Sequence, residues 1–133
     1  QYALCASQWH KTLTYKDDFF TDGITYDADF TKEFGYAPPY QAAESSAALL
    51  VFKDAFERAN SFDKVKVRDA LADTNMQTFY GNIKFAEGGQ NVDKPMVLFQ
   101  VMCDGDKCEN KVVAPTKWAS AELIHPIPSW SQR

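Results

Sequence analysis

The stretch Phe79-Tyr80-Gly81-Asn82-Ile83-Lys84-Phe85, then Gly88-Gly89-Gln90-Asn91, then Met96-Val97-Leu98-Phe99-Gln100-Val101, decides how the chain is read. Phe79, Gly81, Ile83 and Phe85 alternate with Tyr80, Asn82 and Lys84, the period of a half-buried strand. Gly88-Gly89 marks a hairpin turn. The run Met96–Cys103 follows Pro95 and is almost wholly apolar, which predicts a buried strand. An acidic turn, Asp104-Gly105-Asp106, leads from it to Val112-Val113-Ala114-Pro115.

Upstream of this stretch the period changes to that of helices. Tyr26, Phe30 and Phe34 recur every four residues, with Asp27 as the expected N-cap and Gly35 as the glycine that ends the helix. Pro38-Pro39 holds the backbone extended. A long helix is expected from about Gln41 to Ala59. Its middle, Ala47-Ala48-Leu49-Leu50-Val51-Phe52, is apolar on all sides, so it needs a large partner surface of which this chain supplies little. Its second half is amphipathic, with Asp54 and Arg58 at pairing distance. A third helix is expected from about Lys64 to Asp73, capped by Asp63, with Val67, Ala70 and Leu71 inward. Tyr2–Ala6 reads as a strand and Ser7–Gly23 as a loop. Pro115, Pro126 and Pro128 predict an extended tail. Strand, three helices, then strands is an α/β or α+β order.

The chain has 133 residues, the length of one domain, and 45% of them are hydrophobic. A net charge of −4 argues against nucleic-acid binding, because no basic field would release counterions from a phosphate backbone. No apolar run approaches the length of a membrane span. Gln1-Tyr2-Ala3-Leu4 lacks the basic region and cleavage site of a secretory signal, so an exported protein would have lost its leader.

Catalysis has little support. His10 and His125 are the only histidines, and each reads as surface or structural. Ser45-Ser46 lacks a glycine-flanked elbow and reads as helix packing or capping. Cys5 sits in an apolar strand without a basic neighbour, so a buried inert thiol is expected. Asp17-Asp18 and Asp104/Asp106 do not fit a calcium loop and read as solvated turns. Gly88-Gly89 is followed by no lysine-serine pair, so it is no phosphate cradle. The cysteines offer no zinc-ligand spacing. No enzyme activity, cofactor or metal is expected.

The ordered set Gly81-x-Ile83-x-Phe85-x-x-Gly88-Gly89-x-Asn91, then Phe99-Gln100-Val101, then Asp104-Gly105 resembles the periplasmic substrate-binding proteins of branched-chain amino-acid-type ABC importers. Glu33-Phe34-Gly35-Tyr36-Ala37-Pro38-Pro39-Tyr40 is similar to that family's short helix, glycine stop and proline step. Ala42–Ala59, Ser61-Phe62-Asp63, and Val67-Arg68-Asp69-Ala70-Leu71 look like its next two helices. Trp118-Ala119 and His125-Pro126-Ile127-Pro128-Ser129-Trp130 look like its C-terminus. The resemblance covers nearly the whole chain but only the last third of a complete member, which has two lobes around a cleft.

That resemblance implies an α/β fold, part of a type I periplasmic binding protein with doubly wound lobes joined by hinge strands. Residues 1–9 would be a strand and loop leaving the second lobe. Residues 10–95 would form a first-lobe segment. Residues 96–133 would be a hinge-crossing strand, hairpin and tail in the second lobe. The implied function is an extracytoplasmic, periplasmic or lipid-anchored solute-binding subunit. It would capture an amino acid or small organic acid and present it to a membrane permease. Its partners would be that small molecule, the permease and an N-terminal portion of the same protein. A ligand-sensing receptor module of the same fold, or a truncated interaction protein, is the alternative. Tyr40 and Gln41 occupy the family's cleft-lining loop before the long helix, Glu44 lies one turn further in, and Trp9 approaches the same cleft. Packing of Tyr40 on Pro38-Pro39 and helix capping by Gln41 stay open as structural alternatives. Cys103 and Cys108 flank four residues of a hairpin, which sets them opposite one another. They are either two exposed thiols or, as an oxidising periplasm implies, a disulfide, with Cys5 left free.

Overall fold

A computed structural model describes residues 1–132 of the chain. Seven strands and three helices follow in the order β1 (Leu4–Ser7), β2 (Lys16–Asp17), β3 (Thr21–Asp22), α1 (Gly23–Phe34), α2 (Tyr40–Ala59), α3 (Lys64–Ala72), β4 (Asn75–Thr78), β5 (Gly81–Lys84), β6 (Val97–Asp104) and β7 (Lys107–Ala114). Sheet order is β1-β6-β7, with separate ribbons β2-β3 and β4-β5. Every strand pairing among the described residues is antiparallel.

Local chemistry sets the helix ends. Asp63 accepts from the backbone N–H groups of Val65 and Lys66 and caps α3, as expected. Gly35, at φ 78°, closes α1 with its N–H on the Thr31 carbonyl, also as expected. The start of α1 differs: Asp22, not Asp27, is the N-cap and accepts from Thr25 N–H at 2.9 Å. The cause is Gly23. A Cβ there would lie 2.7 Å from the Lys11 carbonyl oxygen, so only glycine lets the first turn of α1 meet the loop after β1. Asp27 is thereby left one turn into the helix.

Three further expectations are corrected. The strand read across Phe79–Phe85 begins at Gly81. Phe79 and Tyr80 form the two-residue tip of the β4–β5 hairpin, with Thr78 paired to Gly81. This tip is buried, and its Phe79 ring is the centre of the core, stacked on Tyr26 at 4.3 Å and met edge-on by Phe20 at 5.0 Å. The Ser7–Gly23 segment is not all loop but contains the β2–β3 ribbon. Its Asp17 carboxylate accepts from Phe19 N–H, Phe20 N–H and, at 2.6 Å, Phe79 N–H. The strand expected from Met96 runs Val97–Asp104, the central strand of its sheet; only Val97 and Gln100 in it are buried, and the rest is partly or fully exposed.

Cys5 is also corrected: it is exposed instead of buried, because β1 is the edge strand of its sheet and exposes three of its four residues. Cys103 and Cys108 are opposite one another in the β6–β7 ladder and joined as a disulfide. The loop between the strands is tighter than four residues, since Asp104 pairs with Lys107 and Gly105 turns at φ 57°. Helix α2 buries Ala43, Ala47, Leu50, Val51 and Ala55. Leu49 is 70% exposed and Phe52 46%, so the far side of its apolar middle has no cover. In α3, Val67 is buried while Ala70 and Leu71 are half-buried. The tail is largely irregular. Gln100, fully buried, donates to the Tyr2 and Ile124 carbonyls and accepts from Ile124 N–H, which fastens the tail to β6.

Candidate functional site

The loop leaving β1, the proline step before α2 and the strand β7 meet around a cleft of about 540 Å³. Trp9, Tyr40 and Gln41, which sequence alone nominated, all line it. Pro38 and Pro39 bring Tyr40 and Gln41 to the start of α2, and Pro39 is the residue before its first turn. Tyr40 and Gln41 are exposed. Trp9 is only 5% exposed, with its indole edge-on to Tyr26 at 5.9 Å and Phe79 at 6.1 Å. It therefore serves the core and walls the cleft at once. Its Nε1–H is buried and has no acceptor among the described residues. An unanswered buried donor of this kind costs about 1–3 kcal/mol.

Glu44 does not join them. It lines a second, more apolar hollow of about 740 Å³ with Ala47, Val51, Phe52, Leu71, Tyr80 and Ile83. There it lies near Tyr80 and Lys94. Lys94 donates to the Gln8 carbonyl and sits 4.1 Å over the Tyr80 ring. Burial pushes its amine down to about 8, against the opposing pull of Glu44. Burial also pushes the Tyr80 phenol well above its ordinary range, reinforced by Glu44 and Tyr40.

The cleft holds charged groups that sequence reasoning missed. Lys11 Nζ donates to Asp27 Oδ2 at 2.8 Å, and Lys111 Nζ lies 2.5 Å from Glu109 Oε2. His10 Nδ1 is 2.9 Å from Thr12 Oγ1. Burial lowers the His10 pKa, a hydrogen bond with the Asn110 backbone opposes this, and Lys11 lowers it further. The Lys111 ammonium beside Glu109 lowers the pKa of that carboxyl. No motif links Lys11, Asp27 and Lys111, which are distant in sequence, so only the fold assembles them. Among the described residues no three His, Cys, Asp or Glu side chains gather as metal ligands. No helix there is long and apolar enough to cross a membrane.

No protein-family model matches the chain. Among solved structures it is similar to a leucine-binding protein, LivK, from Thermotoga maritima, with a TM-score of 0.63 and 20% identity. The match covers 88% of this chain and 32% of that one, so the chain spans about a third of the neighbour's length. The element order and this likeness together give the chain the fold of one part of a type I periplasmic binding protein.

Proposed function

We propose that the chain belongs to an extracytoplasmic solute-binding subunit of an ABC importer, which captures an amino acid or small organic acid by non-covalent closure. One observation carries this reading. Trp9, Tyr40 and Gln41 face Glu109, Asn110 and Lys111 across a single cleft, beside the antiparallel pair β1 and β6. In the proposed division, residues 1–9 lead out of a second lobe, 10–95 belong to a first lobe, and 96–133 return through β6. The two strands that cross between lobes would then be neighbours, which suits a hinge that absorbs the rotation of closure. The leucine-binding neighbour supports a solute-binding role. The ligand, the N-terminal portion, the permease and the periplasmic location are parts of the proposal.

Gln41 sets a polar amide where a branched aliphatic side chain would prefer an apolar wall, which favours a polar or aromatic acid. The test is a thermal-shift screen of amino acids and small organic acids, followed by calorimetry, on the whole polypeptide that contains this chain. A ligand at about 100 times its Kd should stabilise the protein by about 2.7 kcal/mol. Gln41→Leu should change the ranking of ligands while leaving the melting temperature of the free protein within about 2 °C. A screen without a single saturable ligand contradicts the function. An unchanged ranking removes Gln41 from the site.

A further inference from the structure

The segment that leaves β1 lines the cleft except at a single residue. Ser7, Trp9, His10, Lys11 and Thr12 all line it, and Gln8 does not. Ser7 shapes the turn. Its Oγ donates to the Trp9 carbonyl at 2.8 Å and accepts from the Trp9 N–H at 3.3 Å. The Gln8 carbonyl accepts instead from the Lys94 ammonium, 86 residues away in sequence. Lys94 does not line the cleft either, so this bond is made outside it.

Lys94 is held along its whole length. Its stem crosses Gly81, where a Cβ would come within 3.1 Å of the lysine Cε and 3.2 Å of its Cδ and Cγ, and where φ is 146°. Its ammonium lies 4.1 Å from the centroid of the buried Tyr80 ring. Among the described residues no carboxylate is within ion-pair distance of Lys94, and Glu44 attracts it only from further off. The ring face and the Gln8 carbonyl are its near partners, and desolvation strengthens a cation over a ring. The bond also continues the sheet: Ser7 pairs with Val97 at the end of the β1–β6 ladder, and Gln8 and Lys94 meet just beyond that pair. Tyr80 adjoins Phe79 at the centre of the core, so Lys94 ties the cleft-lining segment to the core from behind.

We propose that Lys94 is a positioning residue of the cleft: it holds the Gln8 carbonyl from outside and so keeps Trp9 and the residues after it in the wall that receives the ligand. This rests on the solute-binding reading above. The contribution is preorganisation, since a segment already held in place loses less freedom when the ligand arrives. The ammonium carries the role and the stem does not. The stem only covers Gly81, whereas the ammonium joins Tyr80 to Gln8.

The experiment is hydrogen exchange on the whole polypeptide containing this chain, followed by calorimetric titration with glutamine, phenylalanine, leucine and succinate. The reporters are the amides of Trp9, Thr12 and Leu13, which are bonded within the segment, and the control is the β4–β5 hairpin. Lys94→Met keeps the stem over Gly81 and removes the ammonium. It should speed exchange at the reporters at least about tenfold, the loss expected for a hydrogen bond from a charged donor, and leave the hairpin unchanged. It should also weaken the tightest of the four ligands at least about threefold, as fewer molecules have the wall in place. Lys94→Arg keeps the charge, the donors and the stacking on Tyr80, and should return both readouts to within about twofold of the native values. Lys94→Gln, neutral and shorter, supplies an independent arm should Lys94→Met not fold, and melting curves verify the fold of each variant. Unchanged reporter exchange in Lys94→Met, the result of a packing role alone, overturns the proposal while leaving solute binding in place. Faster exchange that Lys94→Arg does not restore, or faster exchange with ligand affinity unchanged, overturns it equally. Binding of none of the four overturns the solute-binding reading and this proposal together.

Discussion

The two ends of the apolar surface of this chain are finished differently. Around Phe79 the core is closed. Tyr26, Phe20 and Trp9 surround the ring, and Asp17 fixes the hairpin tip that carries it. Along the outer side of α2 it is open. Leu49 and Phe52 are exposed, and Phe52, Phe56 and Phe62 form a row of rings that meet one another at 6.2 and 5.3 Å without cover. Composition does not separate the regions, since both are rich in aromatic and aliphatic residues. What separates them is whether the chain itself provides the opposing surface. A continuous exposed apolar face of this kind marks a place where another surface belongs.

Substitutions measure that difference. Phe79→Ala should cost about 3–5 kcal/mol in chemical denaturation, as expected for removing a fully buried aromatic ring. Asp17→Ala should come next, at about 2–3 kcal/mol, because Phe19, Phe20 and Phe79 N–H groups lose their acceptor together. Phe52→Ala should cost under about 1 kcal/mol, because its ring is already half in solvent. Equal losses at Phe79 and Phe52 would erase the contrast and show that α2 is covered after all.

A smaller effect concerns the cleft. The folded-state pKa of His10 lies below its ordinary value of 6.5, so the unfolded chain binds the proton more readily. Stability should therefore fall as pH drops through 6.5 toward the folded value, and be regained above it. Melting temperatures between pH 7.5 and 5.5 should decline for the native chain and decline less for His10→Asn. Parallel curves would place His10 in solvent.

Much of the open face was legible in the sequence and much of the closed core was not. The all-round apolar run Ala47–Phe52 announces a helix that needs more cover than this chain has, and Asp63 and Gly35 act on residues three or four positions away, so their roles can be read locally. Phe79 and Tyr80 misled because alternation continues smoothly into Gly81, whereas the turn that ends the strand is fixed by Asp17, 62 residues distant. Asp22 and Asp27 both carry a capping residue's chemistry, and the choice between them depends on the approach of Lys11 to Gly23. The exposure of Cys5 likewise depends on what lies over β1, not on its neighbours in sequence. In the cleft, Tyr40 and Gln41 follow from the proline step, while Lys11, Asp27 and Lys111 meet only through long-range packing.

The central claim, that the α2 face is an interface awaiting cover, is tested most directly by sedimentation velocity on residues 1–133, native and Leu49→Glu/Phe52→Glu. The account predicts self-association or aggregation of the native chain at micromolar concentration and a shift toward monomer in the double variant. A native chain that sediments as a compact monomer and melts cooperatively would contradict it, and with it the two-lobe reading of the cleft.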